Sequence, residues 1–181
     1  LTSCEELNDY LCGIKEYTLL QQKNFAQPKK QTVRLQPLIQ KILDQFEHQL
    51  NQNQISVKLK DPKYLSAQTD EVLLETILFN LISNAIKYSP CKAIVYINLN
   101  PYGRKQVHIE VCDQGPGIAQ DFHKKIFEKF YRVQDDQVYK IKGNGLGLYL
   151  CQFFASKMHT QIELISDLGY GSKFSLKLQK G

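Results

Sequence analysis

The chain has 181 residues, 43% of them apolar and 23% charged, with a formal net charge of +5. That length suffices for a sizeable core and allows one or two domains, while the interspersed Lys, Arg, Asp and Glu lack the clustered basic footprint of a nucleic-acid binder. No apolar run approaches the roughly 18 residues of a membrane span, so no membrane contact is expected of this stretch. Five cysteines (Cys4, Cys12, Cys91, Cys112, Cys151) without CxxC spacing point to reduced thiols in a cytoplasmic setting and away from a structural metal.

Residues 1–24 read as a helix, with Leu7, Leu11, Ile14 and Tyr17 at 3/4 spacing, its stripe packing on a partner helix. Pro28 and Lys29-Lys30 break the pattern, dividing the chain into a helix over 1–27 and a mixed domain over 28–181. Thr32–Leu35 reads as a short strand. Pro37 then lies in the first turn of a helix to about Leu50 that buries Leu38, Ile39, Ile42, Leu43 and Phe46. Strict alternation of Ile55, Val57 and Leu59 predicts a half-buried strand ended by Asp61-Pro62. A second short strand over Tyr64–Ala67 leads to Thr69 and Asp70, either of which could cap the next helix.

That helix, Glu71–Ser89, carries two stripes: Leu74, Ile77, Leu78, Leu81 and Ala85 face a core, and Thr76, Asn80, Asn84, Lys87 and Tyr88 share a flank. Lys92–Leu99 and Gln106–Asp113 form a hairpin about a turn at Asn100–Gly103. Helices follow over 120–131 and 145–158. Two last strands, Gln161–Ser166 and Lys173–Leu178, flank a turn at 167–171. The order predicts an α+β fold, a two-layer α/β sandwich of mostly antiparallel strands with helices on one sheet face.

Three stretches carry chemistry. The polar flank of Glu71–Ser89 is either a solvated face or a phosphate and metal surface, since a carboxamide oxygen suits a hard cation such as Mg²⁺. In Asp113-Gln-Gly-Pro-Gly-Ile118 an aspartate leaves the sheet where glycines let backbone approach a ligand, and its carboxylate can accept from an exocyclic amine; alone, the motif is equally a turn. Gly143-Asn-Gly-Leu-Gly-Leu148 opens a helix, exposing backbone N–H groups to an anion. No Lys-Ser or Lys-Thr follows it, so it is not a Walker loop. Polar Gln134–Lys142 stands where a dinucleotide fold needs a buried strand, and reads instead as a mobile lid.

In this order, Asn80-Leu-Ile-Ser-Asn-Ala-Ile-Lys-Tyr-Ser89, DQGPGI, Lys125-Ile-Phe-Glu-Lys-Phe-Tyr-Arg132, GNGLGL and Gly169-Tyr-Gly-Ser-Lys-Phe174 resemble the N box, first glycine box, F box, second glycine box and closing glycine motif of sensor histidine kinases. The resemblance covers about residues 32–178, and residues 1–24 resemble the end of the second helix of that family's dimerisation hairpin. It implies a Bergerat-type ATP-binding fold that takes ATP and Mg²⁺. Asn84 would be the Mg²⁺ ligand, supported by Asn80, with Lys87, Tyr88 and Arg132 facing phosphates. Asp113 would take the adenine amine, Gly115, Gly117 and Ile118 would shape its pocket, and Ser172 would assist through water. Gly143, Gly145, Leu146 and Gly147 would close around the triphosphate. Phe127 and Phe130 are expected to anchor the lid by packing.

One position separates reaction classes. Gyrase-like and Hsp90-like ATPases resembling this chain activate water with a glutamate where Asn80 stands, and an Asn is no general base at neutral pH, so ATP would be kept for transfer to a protein. None of His48, His108, His123 and His159 has the acceptor setting of the family, which places the acceptor histidine and its neighbouring base upstream of Leu1. Asn144 stands where the family usually has Thr, and His159-Thr160-Gln161 where it often has Gly-Gly. The expected function is transfer of the ATP γ-phosphoryl group to a histidine in a dimerisation hairpin, then to an aspartate of a response-regulator receiver domain. The expected partners are that hairpin, in a homodimer of a longer and conceivably membrane-anchored protein, and the receiver. The alternative is a non-catalytic ATP-sensing interaction module.

Overall fold

In the computed structural model the described residues are 27–61, 64–133 and 143–181; the helix expected over 1–24 and the lid expected over 134–142 lie outside them. Strand β1 (Gln31–Arg34) runs straight into α1 (Leu35–Gln45), which buries Leu35, Leu38, Ile39, Ile42 and Leu43. The single helix expected to Leu50 is interrupted at Phe46 (φ −99°, ψ 4°), and a short α2 (Glu47–Gln52) follows. The break turns the Phe46 ring into the core, 4.9 Å from that of Phe79.

After β2 (Ser56–Lys60), β3 occupies Ser66–Thr69, two residues later than expected, because Tyr64 adopts a left-handed φ of 48° and points its ring to solvent. Helix α3 (Glu71–Tyr88) is capped by Asp70, whose Oδ1 accepts from the N–H groups of Val72 and Leu73, both at 3.1 Å. Thr69 is buried instead, donating its hydroxyl to Met158 Sδ. Eight α3 side chains are buried, among them Leu74, Ile77, Leu78, Leu81 and Ile82 at 0% exposure. At roughly 1.5–3 kcal/mol for each large aliphatic side chain withdrawn from water, α3 anchors the domain.

The remaining elements are β4 (Ile94–Tyr102), β5 (Gln106–Cys112), α4 (Gly147–Lys157), β6 (Glu163–Ser166) and β7 (Ser172–Gln179). The hairpin turn falls at 103–105, later than expected, and Pro101 stays in the strand opposite Val107. Proline is tolerated there because β2 pairs β4 only as far as Asn98, leaving the other side of β4 without a ladder partner. The predicted helix over 120–131 is replaced by two 3₁₀ turns, Gln120–Phe122 and Lys125–Phe127, followed by Phe130 at φ 63°.

The five-stranded sheet has the order β2-β4-β5-β7-β6, with β2 parallel to β4 and the other neighbours antiparallel. Between the two parallel strands the chain crosses over through β3 and α3, as parallel pairing requires. Val95, Ile97, Leu99, Val107, Ile109, Val111, Leu176 and Leu178 line the inner face, on which α1, α3 and α4 pack. The outer face is polar: Lys173 Nζ lies 3.1 Å from Glu110, and Lys177 2.8 Å from Glu163. A two-layer α/β sandwich results. A second sheet pairs β1 with β3, and Gly181 N–H extends it by donating to Ser66 O at 2.9 Å.

Candidate nucleotide site

A cavity of about 600 Å³ opens between the polar flank of α3, the loop after β5, the 3₁₀ turns, the N-terminus of α4 and the β6–β7 turn. On α3, Asn80, Asn84, Lys87 and Tyr88 all reach its wall, because residues three or four apart share a helix flank. Asn80 Nδ2 donates to Thr76 O at 3.0 Å, which leaves Oδ1 as its outward group. That oxygen faces Gly147: a Cβ there would sit 2.7 Å from Asn80 Oδ1, so a larger residue at the start of α4 would push the Asn80 carboxamide aside. Burial raises the Tyr88 phenol above its ordinary pKa, partly offset by the Arg132 guanidinium. Tyr88 therefore stays a neutral hydrogen-bonding group beside a cation.

Asp113 follows the last residue of the central strand β5, continuing its ladder with N–H to Ser172 O at 2.9 Å. Its Oδ1 accepts from Gly115 N–H at 2.8 Å and Ser172 N–H at 3.1 Å. Burial pushes its pKa up, and those two backbone donors pull it back. With Oδ1 doubly engaged, Oδ2 is the oxygen with capacity for a ligand donor. Gly115 does not reach the cavity wall; it lets the loop lie against the end of α3, where a Cβ would be 2.8 Å from Tyr88 O. Gly117 and Ile118 do reach it.

At the opposite rim, Gly143, Gly145 and Gly147 line the cavity, whereas Leu146 turns into the core at 6% exposure, its N–H held by Asn144 Oδ1 at 3.0 Å. Phe130 N–H donates to Gly145 O at 3.0 Å, which joins the F box to the second glycine box. Arg132 and Ser172 complete the expected set on the wall. Phe127 packs edge-on against Phe174, ring centroids 6.4 Å apart, but Phe130 is 60% exposed and anchors nothing by burial. Phe79, Ser83, Phe122, Ile126, Tyr131, Leu148 and Leu168 also line the cavity and were not singled out from the sequence. Ser83 could have been, since it lies within a turn of both asparagines; Leu168 sits in a turn whose approach to the cavity only the fold creates.

Among the described residues no group of three His, Cys, Asp or Glu could hold a metal. A cation here would rest on carboxamide oxygens and ligand phosphates, the mode that suits Mg²⁺ with its few protein ligands. Asn84, with Asn80 one turn before it, fits that role. No described helix is long and apolar enough to cross a membrane.

The chain belongs to the histidine kinase-, DNA gyrase B- and HSP90-like ATPases, whose family model matches residues 69–181. Among its relatives are the adaptive-response sensory kinase SasA of Gloeothece citriformis, 32% identical over 145 residues, and the sensor-like histidine kinase SenX3 of Mycolicibacterium smegmatis, 33% identical over 151. These alignments cover 80% and 83% of the chain but 36% and 39% of the relatives, so the chain spans less than half their length. The relatives that align with it are named as sensory kinases or sensor-like histidine kinases. The fold agrees with that of histidine kinase ThkA, solved in complex with response regulator protein TrrA, at a TM-score of 0.77 and 19% identity, covering 98% of this chain and 49% of that one.

Proposed function

We propose that this domain binds Mg²⁺-ATP in the cavity and delivers its γ-phosphoryl group to a histidine on a dimerisation hairpin, from which it passes to a receiver-domain aspartate of a response regulator. The observation that carries this reading is the chemistry of the wall. Asp113 is the one carboxylate on it among the described residues, and neither glutamate nor histidine joins it. Among the described residues, water at the phosphate end therefore meets no general base; Asn80, its amide tied to Thr76, cannot serve. Such a lining favours keeping the triphosphate for an incoming acceptor over hydrolysing it.

Asp113 Oδ2 accepts the adenine amine. Asn84, supported by Asn80, holds Mg²⁺, which when bound neutralises phosphate charge. Lys87 and Arg132 add positive charge, Tyr88 a neutral hydroxyl, and the backbone N–H groups opening α4 face the phosphates. The residues supply alignment and charge stabilisation; the acceptor imidazole supplies the nucleophile as the bond from the γ-phosphorus to the ADP oxygen breaks. The assembly is a homodimer in which two hairpins pack together, and the domain works on the cytoplasmic side.

Calorimetric titration with a nonhydrolysable ATP analogue, with and without Mg²⁺, tests the site, and addition of a hairpin bearing the acceptor histidine tests the reaction. Mg²⁺-dependent binding, lost in Asp113→Ala, with transfer abolished in Asn84→Ala at unchanged stability, is expected. Full transfer by Asn84→Ala would overturn the metal assignment. Binding without transfer to any hairpin would identify an ATP-sensing module instead.

A further inference from the structure

Behind the base end of the cavity lies a serine that no motif includes. Ser166, the last residue of β6, is 5% exposed, and its hydroxyl has three neighbours. Ile118 N–H donates to it at 2.9 Å, it lies 2.8 Å from Gly171 O, and Ser172 Oγ is 3.0 Å away. These partners belong to the first glycine loop, the β6–β7 turn and the start of β7, the three segments that surround Asp113.

The protons can be assigned. A carbonyl oxygen only accepts, so the 2.8 Å contact with Gly171 O uses the single hydrogen of Ser166. In the contact between the two hydroxyls Ser172 must then be the donor. With its hydrogen turned back toward Ser166, Ser172 can offer the cavity only lone pairs. Next to it, Asp113 Oδ1 is occupied by the N–H groups of Gly115 and Ser172, and Oδ2 is likewise an acceptor when ionised. Of the side chains at the base end, Asp113 and Ser172 thus both present acceptors.

We infer that Ser166 is a positioning residue for base selection: by fixing the direction of the Ser172 hydroxyl it makes the pocket accept a base bearing an amino group, as adenine does, and reject one bearing a carbonyl there, as guanine does. A site whose buried polar groups are committed in one sense rejects the wrong partner because groups on both sides are left unpaired. Without Ser166 the Ser172 hydroxyl can rotate and donate, and Ile118 N–H loses its acceptor, loosening the same wall. The inference rests on the proposed adenine site.

ATP and GTP affinities, measured with Mg²⁺ by titration on the unmodified protein and on Ser166→Ala, Ser166→Cys and Ser166→Thr, test it alongside urea unfolding. The unmodified protein should prefer ATP, and Ser166→Ala should narrow the ATP-to-GTP affinity ratio about tenfold, the effect expected of one hydrogen bond whose sense is lost. Ser166→Thr, which keeps the hydroxyl, should restore the ratio. In a Ser172→Ala background the Ser166→Ala change should leave the ratio where it is, because the two act through one hydroxyl. Equal weakening of ATP and GTP by Ser166→Ala would make it a structural serine and overturn the inference. If the alanine variant is too unstable to titrate, Ser166→Cys decides, since its thiol keeps the volume but bonds weakly: a narrowed ratio supports the inference and an unchanged one overturns it. No preference for ATP in the unmodified protein would instead remove the adenine reading on which this depends.

Discussion

Replacing Gly117 with alanine should damage the domain and its cavity together. Gly117 sits at φ 73°, and a Cβ built on it would lie 1.9 Å from Asp167 O, 2.7 Å from Asp167 C and 3.1 Å from Leu168 Cα. Every one of those atoms is backbone, so no side chain can swing aside. The left-handed conformation costs an alanine about 1–2 kcal/mol, and relief of the overlap about 1–3 kcal/mol more. The loops must part to make room, and Gly169 N–H then loses its 2.7 Å bond to Pro116 O, worth roughly 1 kcal/mol. The sum is about 3–6 kcal/mol against a total stability of about 5–15. Because the loops lie at the rim, part of the loss will be taken locally, and at least about 2 kcal/mol should appear in urea unfolding, a midpoint shift of roughly 1 M. Separation of the loops displaces Leu168 from the cavity wall, so the affinity for an ATP analogue should drop as well. Gly143→Ala is the control, since nothing lies within 4 Å of a Cβ there; its cost should stay within about 0.5 kcal/mol. A Gly117→Ala protein with the urea midpoint and nucleotide affinity of the parent would refute the close-approach argument.

Three other outcomes follow from the same geometry. Asp70→Ala removes the acceptor for the Val72 and Leu73 N–H groups, and for Lys29 N–H at 2.7 Å, and should lower stability by about 1–2 kcal/mol in urea melts. Since burial raises the pKa of Asp113, its ionised form is favoured less in the fold than in the unfolded chain, so the contribution of the group to stability is full below the unfolded pKa and falls as pH rises through the folded one. Its proton would occupy Oδ2, so ATP affinity should decline on acidification at a pH above the ordinary aspartate range, while Asp113→Asn should show weak binding without that inflection. Burial, then Glu110, pushes the Cys112 thiol up to about 11, and Cys151 is buried, whereas Cys91 is exposed. Of these three, Cys91 alone should be alkylated quickly by iodoacetamide at pH 8, as peptide mass mapping can read.

Much of this architecture was legible because each long element repeats its period often enough to be unambiguous. In α3 both the core stripe and the polar flank are visible as spacing, and the flank reaches the cavity. Strand β5 shows its alternation in Val107, Ile109 and Val111. Residues 120–131 look helical because Phe122, Ile126 and Phe130 keep a helical interval, yet the two tight turns send Phe122 and Ile126 to the cavity wall, Phe127 onto Phe174 and Phe130 out to solvent. Pro101 with Gly103 looked like a turn because local chemistry cannot disclose which side of a strand will lack a neighbour. Ser166 was invisible for a related reason: its partners Ile118 and Gly171 come together only after β6 and β7 pair.

The bond between Asp113 and Ser172 joins residues 59 positions apart in the chain. Neither half of this end of the cavity can exist in a partly folded chain that has made only local contacts, and closing such a loop is paid for in entropy before any contact repays it. Nucleotide therefore has nothing to grip in the unfolded ensemble and acts as a thermodynamic ligand of the native state alone. At a concentration of 100 times its Kd it should add about 2.7 kcal/mol to the unfolding free energy. Occupancy by a metabolite as abundant as ATP thus doubles as protection, and a domain emptied of nucleotide is the one first exposed to proteolysis.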